Sequence, residues 1–274
     1  MCEQILGHLN QAGSKGFSAE VQCTMSLQHE PMNTSNFAQL RVVVGSGGGL
    51  GQAWLGLLQA QDAGSKPTTR TVGLSRSTTP PIDYTQPATL EAASVWLKEQ
   101  LGSSGSQLRQ VVVATGFLHS DELGQPERSW RQLDATYLQH VMQVNAIGPA
   151  LLIRALFDVL PKSERVVVAF LSAKVGSIGD NALGGWYGYR ASKAALNQFV
   201  KTASIELRRH NKDAVCVALH PGTVDTDLSK PFAKKGLHVR TASVAAQELQ
   251  AVLDQLGPAQ TGQFFDYQGH ALPW

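Results

Sequence analysis

The chain has 274 residues, 43% of them hydrophobic and 16% charged, with 23 Lys+Arg against 21 Asp+Glu for a formal net charge of +2. A charged fraction well under the roughly 25% usual in soluble domains excludes a disordered polyelectrolyte, and balanced sign with no dense Lys/Arg run excludes a dedicated nucleic-acid binder. The three cysteines, Cys2, Cys23 and Cys216, show no CxxC spacing, so neither a disulfide framework nor a metal site is expected. With no secretory signal and no stretch near the ~20 apolar residues of a membrane span, the expected setting is the reducing cytoplasm, away from membranes.

Residues 1–39 are weakly periodic and rich in Gln, Ser, Asn and Gly, and read as a poorly ordered N-terminal extension. From residue 40 onward, short β-branched runs at 40–44, 70–74, 110–114, 165–171, 214–219 and 262–267 alternate with helical stretches near 50–61, 88–101, 130–160, 189–210 and 243–256. The runs are apolar almost throughout rather than alternating, as strands buried on both faces of a parallel sheet must be. Residues 40–274 are therefore expected to form one α/β domain, a Rossmann-type doubly wound parallel sheet flanked by helices.

The first strand runs into Gly45-Ser46-Gly47-Gly48-Gly49-Leu50-Gly51 and then a helix. Glycine there allows a tight turn and close approach of a pyrophosphate, while the helix N-terminus offers free N–H groups and its dipole. A flexible turn is the plainer reading of a glycine cluster, and position between buried strand and helix is what favours a dinucleotide. The second strand ends Ser75-Arg76-Ser77 with no acid to accept from a ribose 2′-hydroxyl, which favours NADP(H) over NAD(H) unless Arg76 is merely solvated. Asp83, in Ile82-Asp83-Tyr84-Thr85, lies beside the adenine if a third strand ends there, and is otherwise a loop or N-cap acid. Ala114-Thr115-Gly116 forms a small-residue strand exit with room for ribose and nicotinamide. Asn145, within a helical stretch and followed by Gly148-Pro149, predicts a kink.

Tyr189 and Lys193 stand at i and i+4 on an amphipathic helix, so the ammonium is placed to favour the phenolate for proton transfer to a carbonyl oxygen. Together with the glycine loop, the segments Gly176-Ser177-Ile178-Gly179-Asp180-Asn181, Gly184-Gly185-Trp186-Tyr187 and Tyr189-Arg190-Ala191-Ser192-Lys193 resemble the short-chain dehydrogenase/reductase family, in its C-factor and sniffer-type carbonyl reductase branch. The resemblance implies Tyr189 as general acid/base, Lys193 as its electrostatic partner and a ribose ligand, and Asn145 as holder of a relay water. It also implies that Pro221, Gly222, Val224 and Thr226 contact the nicotinamide end. Two departures stand out. The usual Asn-Asn-Ala-Gly segment is Val113-Ala114-Thr115-Gly116, and the family's substrate-orienting serine aligns with Ala173, leaving Ser172, if the strand end bulges, or Ser177.

The expected activity is oxidoreduction of a small carbonyl or alcohol substrate by a homo-oligomer. The rival reading is a dinucleotide-binding sensor with little turnover. Residues 230–235 read as a partly basic lid.

Overall fold

The computed structural model describes residues 37–232 and 239–274. Residues 1–36, most of the expected extension, lie outside the described residues, as do residues 233–235 of the expected lid. The fold is already under way at Phe37, which is 5% exposed and packed in the core, three residues before the expected boundary.

Strand β1 (Gln39–Val44) leads to α1 (Gly49–Asp62), β2 (Thr69–Leu74), α2 (Ala88–Ser104) and β3 (Gln107–Val113). Then come α3 (Ala135–Met142), a five-residue π-turn (Gln143–Ile147), α4 (Gly148–Leu156), β4 (Val167–Leu171), α5 (Tyr187–His210) and β5 (Val215–His220). Two-residue strands β6 (Thr223–Val224) and β7 (Val239–Arg240) pair with each other, and α6 (Ala242–Gln255) precedes β8 (Phe264–Asp266). Six strands form one parallel sheet in the order β2-β1-β3-β4-β5-β8. The chain moves outward from β1 in one direction and then the other, which puts the strands' carboxyl ends around a crevice at the β1/β3 switch point.

Alternation along β1 sorts the core into two layers. Val42 and Val44 face α2, α4 and α5, among Leu97, Leu152, Phe170 and Val200. Val43 faces α1 and α6, with Trp54, Leu58, Val217, Leu249 and Leu253. A buried polar node crosses the second layer. Trp54 Nε1 donates to Gln250 Oε1 at 2.9 Å, and Gln110 and Gln250 exchange amide bonds at 2.8 and 3.3 Å. Every heavy group there finds a partner, as burial requires.

The loop alternative holds for Asp83, and one expectation fails. The run from Ser75 to Pro87 carries no strand, so Asp83 ends none. Pro80 and Pro81, directly before Ile82, supply no backbone N–H to a ladder. By length and composition Ala135–Val159 does pass for a membrane span, 25 residues containing an 18-residue window with a mean hydropathy of 1.2. Its residues Tyr137, Val141, Ala146, Leu152 and Leu156 are nevertheless buried within this fold.

Candidate active site

The glycine cradle follows from close backbone approach. Gly45 has φ 86° and donates to the Leu74 carbonyl at 2.7 Å, and a Cβ there would come within 2.9 Å of Ala114 and Thr115. A Cβ on Gly51 would strike the Gly45 carbonyl. Helix α1 has no side-chain cap at Gly48, so its first N–H groups face the crevice with the positive end of the dipole. Ser46 and Leu50 are buried beneath it. The rim is built from neighbouring loops. A Cβ on Gly47 would lie 3.5 Å from Ser75 Cβ, and one on Gly49 3.0 Å from Thr226 Cγ2. Ser75 and Ser77 hydroxyls are 3.1 Å apart, and Arg76 is exposed beside them.

Asp83 sits in the loop over this rim. Its Oδ1 accepts from the Thr85 N–H at 2.9 Å and hydroxyl at 2.7 Å. Those bonds, with a smaller contribution from Arg76, hold its carboxyl below the usual range. The next residue, Tyr84, bonds the Thr115 hydroxyl at 3.1 Å and packs against Gly148.

The residues expected to react are gathered on and around α5. Asn145 lies in the π-turn, fully buried. Its Oδ1 accepts from Phe117 N–H at 2.7 Å, and its Nδ2 donates to the Phe117 carbonyl at 2.8 Å and to Ser192 Oγ at 3.0 Å. The expected kink is thus a π-bulge, a common device where a side chain must be re-aimed. Here it ties the β3 exit to α5. Lys193 Nζ donates to the Leu171 carbonyl at 2.9 Å and stands 5.9 Å from the Tyr189 ring centroid. A Cβ on Gly116 would lie 3.8 Å from both Asn145 Oδ1 and Lys193 Nζ, so Tyr189, Lys193, Asn145 and Gly116 converge. Burial pushes the Tyr189 phenol up and drives the Lys193 ammonium down to about 7. The expected lowering of the phenol by its neighbour is therefore not seen, because desolvation of both groups outweighs their attraction.

A family model described as short chain dehydrogenase matches residues 40–236, which takes in both the cradle and the Tyr189 helix. The chain belongs to the short-chain dehydrogenase family. It is an oxidoreductase of the dehydrogenase/reductase kind. It is 34% identical over 196 residues to a 1-hydroxy-2-glutathionyl-2-methyl-3-butene dehydrogenase of Rhodococcus sp. (strain AD45), covering 71% of this chain and 79% of that one. It is 37% identical over 142 residues to the C-signal protein of Myxococcus xanthus, covering 52% and 81%. Among solved structures, NADPH-bound carbonyl reductase from chicken fatty liver superposes with a TM-score of 0.72 at 23% identity, covering 88% of this chain and 96% of that one. Carbonyl reductase Sniffer of D. melanogaster gives 0.71 at 21% identity, covering 87% and 100%. These two likenesses establish the fold.

Within this dehydrogenase, the expected orienting serines point elsewhere. Ser172 donates to Asn197 Oδ1 at 2.6 Å inside the core, while Ala173 packs with Leu118, Tyr137, Val141 and Tyr189. Ala173 is extended, with φ −146° and ψ 143°, so adjacent side chains diverge and no bulge turns Ser172 round. Ser177 is 1% exposed and donates to the Trp274 carbonyl at 3.2 Å. Beyond β5, Gly222 has φ 72° and abuts Arg240 and Tyr267. The Arg240 guanidinium lies 3.2 Å from the Tyr267 ring centroid and pairs with Glu248 at 3.0 Å, which fixes the Pro221–Val224 turn.

Sequence reasoning missed Glu127 and the backbone of Trp186. The only signal was the pair Gly184-Gly185 ahead of a tryptophan.

Proposed function

We propose that the protein is an NADP(H)-dependent carbonyl reductase acting on a small, largely apolar carbonyl compound, with Tyr189 as general acid. The observation that carries this reading is the buried Tyr189 phenol, kept protonated by desolvation and ready to give its proton to a carbonyl oxygen. The donor set suits a dinucleotide. The cradle at Gly45, Ser46, Gly47, Gly49, Leu50 and Gly51 admits a pyrophosphate where any Cβ on Gly45 or Gly51 would collide. Ser75, Arg76 and Ser77 present two hydroxyls and a cation to a 2′-phosphate. Ala114, Thr115 and Gly116 border the ribose, and Pro221, Gly222, Val224 and Thr226 border the nicotinamide end. Asp83 caps the adenine side as a loop acid.

The chemistry supplied by the bound dinucleotide is hydride donation to the carbonyl carbon. Tyr189 protonates the oxygen, so the product is the alcohol. Lys193, titrating near neutrality, returns a proton to the phenol. Asn145 holds the β3 exit and α5 in register. Substrate packs against Trp186, whose ring meets Tyr189 edge-on at 6.0 Å and Phe232 at 5.0 Å. With Ala173 beside it, the Tyr189 phenol works without the serine hydroxyl that the family resemblance places at that position.

NADPH and NADH consumption against a panel of aryl and alkyl carbonyls tests the reading. Turnover should prefer NADPH and fall by roughly 10²–10⁴ in Tyr189→Phe, with dinucleotide affinity retained. Dinucleotide binding with no turnover on any carbonyl would replace it with the sensor reading, which Ala173 favours.

A further inference from the structure

Helix α5 begins in an unusual way. Gly184, Gly185 and Trp186 are all left-handed, with φ 64°, 66° and 53°. For the two glycines this costs little, but a bulky aromatic residue there is strained by about 1–2 kcal/mol. Trp186 is also the N-cap, and its side chain makes no capping bond. Something else must hold the turn.

Glu127, from the segment between β3 and α3, is 3% exposed. Both of its carboxylate oxygens lie 3.2 Å from the Gly188 N–H, and its backbone carbonyl accepts from the Trp186 N–H. Among the described residues Glu127 forms no ion pair, so the α5 N-terminus is the compensating positive charge. Gly188 is itself hemmed in by Tyr137, Leu138 and Val141, each 3.0 Å from where a Cβ would stand. From the other side Arg190 donates to the Gly185 carbonyl at 2.9 Å, the Gly184 carbonyl at 3.2 Å and the Val175 carbonyl at 3.1 Å. Trp186 is thereby fixed edge-on to Tyr189 and Phe232.

We propose that Glu127 is a positioning residue of this enzyme: its buried carboxylate caps α5 in place of a side chain on Trp186 and locks the left-handed turn that aims Trp186 and Tyr189 into the cleft. The proposal rests on Tyr189 being the general acid. Glu127→Gln keeps the shape and one acceptor but removes the charge that the helix end stabilises. Glu127→Asp keeps the charge but shortens the reach.

Amide hydrogen exchange at residues 186–190 and steady-state kinetics decide it together. In Glu127→Gln, exchange over that turn should quicken at least about tenfold while the core strands are unchanged, because only local opening is altered. kcat should fall about ten- to a hundredfold with unchanged dinucleotide affinity, as a small displacement of the acid requires, and Glu127→Asp should recover part of both. Unchanged exchange and kcat in Glu127→Gln would overturn the proposal, as would a parallel loss of dinucleotide affinity, which marks general damage. A wild-type protein that turns over no carbonyl overturns the reductase reading alone, and the exchange result still decides whether Glu127 holds the turn.

Discussion

The two ends of the crevice are built by different means. At the end we assign to the dinucleotide the shape belongs to the backbone: Gly45 and Gly51 sit where no side chain fits, and helix α1 starts with no side-chain cap. At the reacting end it belongs to side chains that brace each other, Asn145 to Phe117 and Ser192, Lys193 to Leu171, Glu127 to Gly188. A backbone site tolerates many neighbours and fixes one ligand. A side-chain site depends on each member's direction: Ser172 turns to Asn197 in the core while Ala173 packs beside Tyr189.

The contrast can be broken from either side. The largest effect is expected at Lys193, where burial lowers the ammonium from 10.5 to about 7. The unfolded chain then binds the extra proton between these values, so stability rises with pH across that window and is lowest below pH 7. Lys193→Met should stabilise the dinucleotide-free protein by on the order of a few kcal/mol below pH 7, with the gap closing above pH 10.5. Equal melting shifts for the variant at pH 6 and pH 11 would show that the lysine is not desolvated. Next comes Gly45→Ala, which meets both a positive φ and contacts of 2.9 Å. It should cost about 1–3 kcal/mol in chemical denaturation and abolish dinucleotide binding, leaving Tyr189 where it is. Dinucleotide binding at wild-type strength would mean that the cradle is not backbone-made. The smallest effect is expected at the exposed rim, where Arg76→Ala should raise the KM for NADPH about tenfold, one charge-assisted hydrogen bond's worth, and leave that for NADH unchanged. A loss shared by both dinucleotides would move Arg76 away from the 2′-phosphate.

The same contrast explains what could be read from residues alone. The sheet strands were legible because they are buried on both faces, so their apolar runs stand out, and β1 to β5 and β8 fall within a few residues of expectation, whereas the two-residue strands β6 and β7 were not expected. The glycine cradle was legible for the related reason that steric demands leave only one residue type. Of the two readings of Asp83, strand end or loop acid, the loop holds, because its apolar neighbours Ile82 and Tyr84 pack into the core, Tyr84 against Gly148, rather than pairing in the sheet. Ser172 was misread because its direction depends on whether one residue, Ala173, stays extended, and a bulge leaves no mark in sequence. Glu127 was invisible. Its partner is a backbone N–H sixty-one residues away, and that bond depends on no residue type at Gly188 that spacing could reveal.

With no strand between Ser75 and Pro87, the sheet ends on β2 among the described residues, where β2 pairs with β1 alone. Part of its outer row is already met by side chains, Ser65 Oγ accepting from the Thr69 N–H at 3.0 Å and Gln59 Nε2 donating to the Thr71 carbonyl at 3.4 Å, and the rest is a template on which proteins join edge to edge. The guards against this are local and polar. Arg70 sets a charge in mid-strand, braced by Gln100 at 3.1 Å and lying 5.6 Å over the Phe37 ring, and threonines flank it at Thr69 and Thr71. The link from β2 to α2 carries no strand, so the protection of this edge falls on a few residues of β2 itself, far from Tyr189.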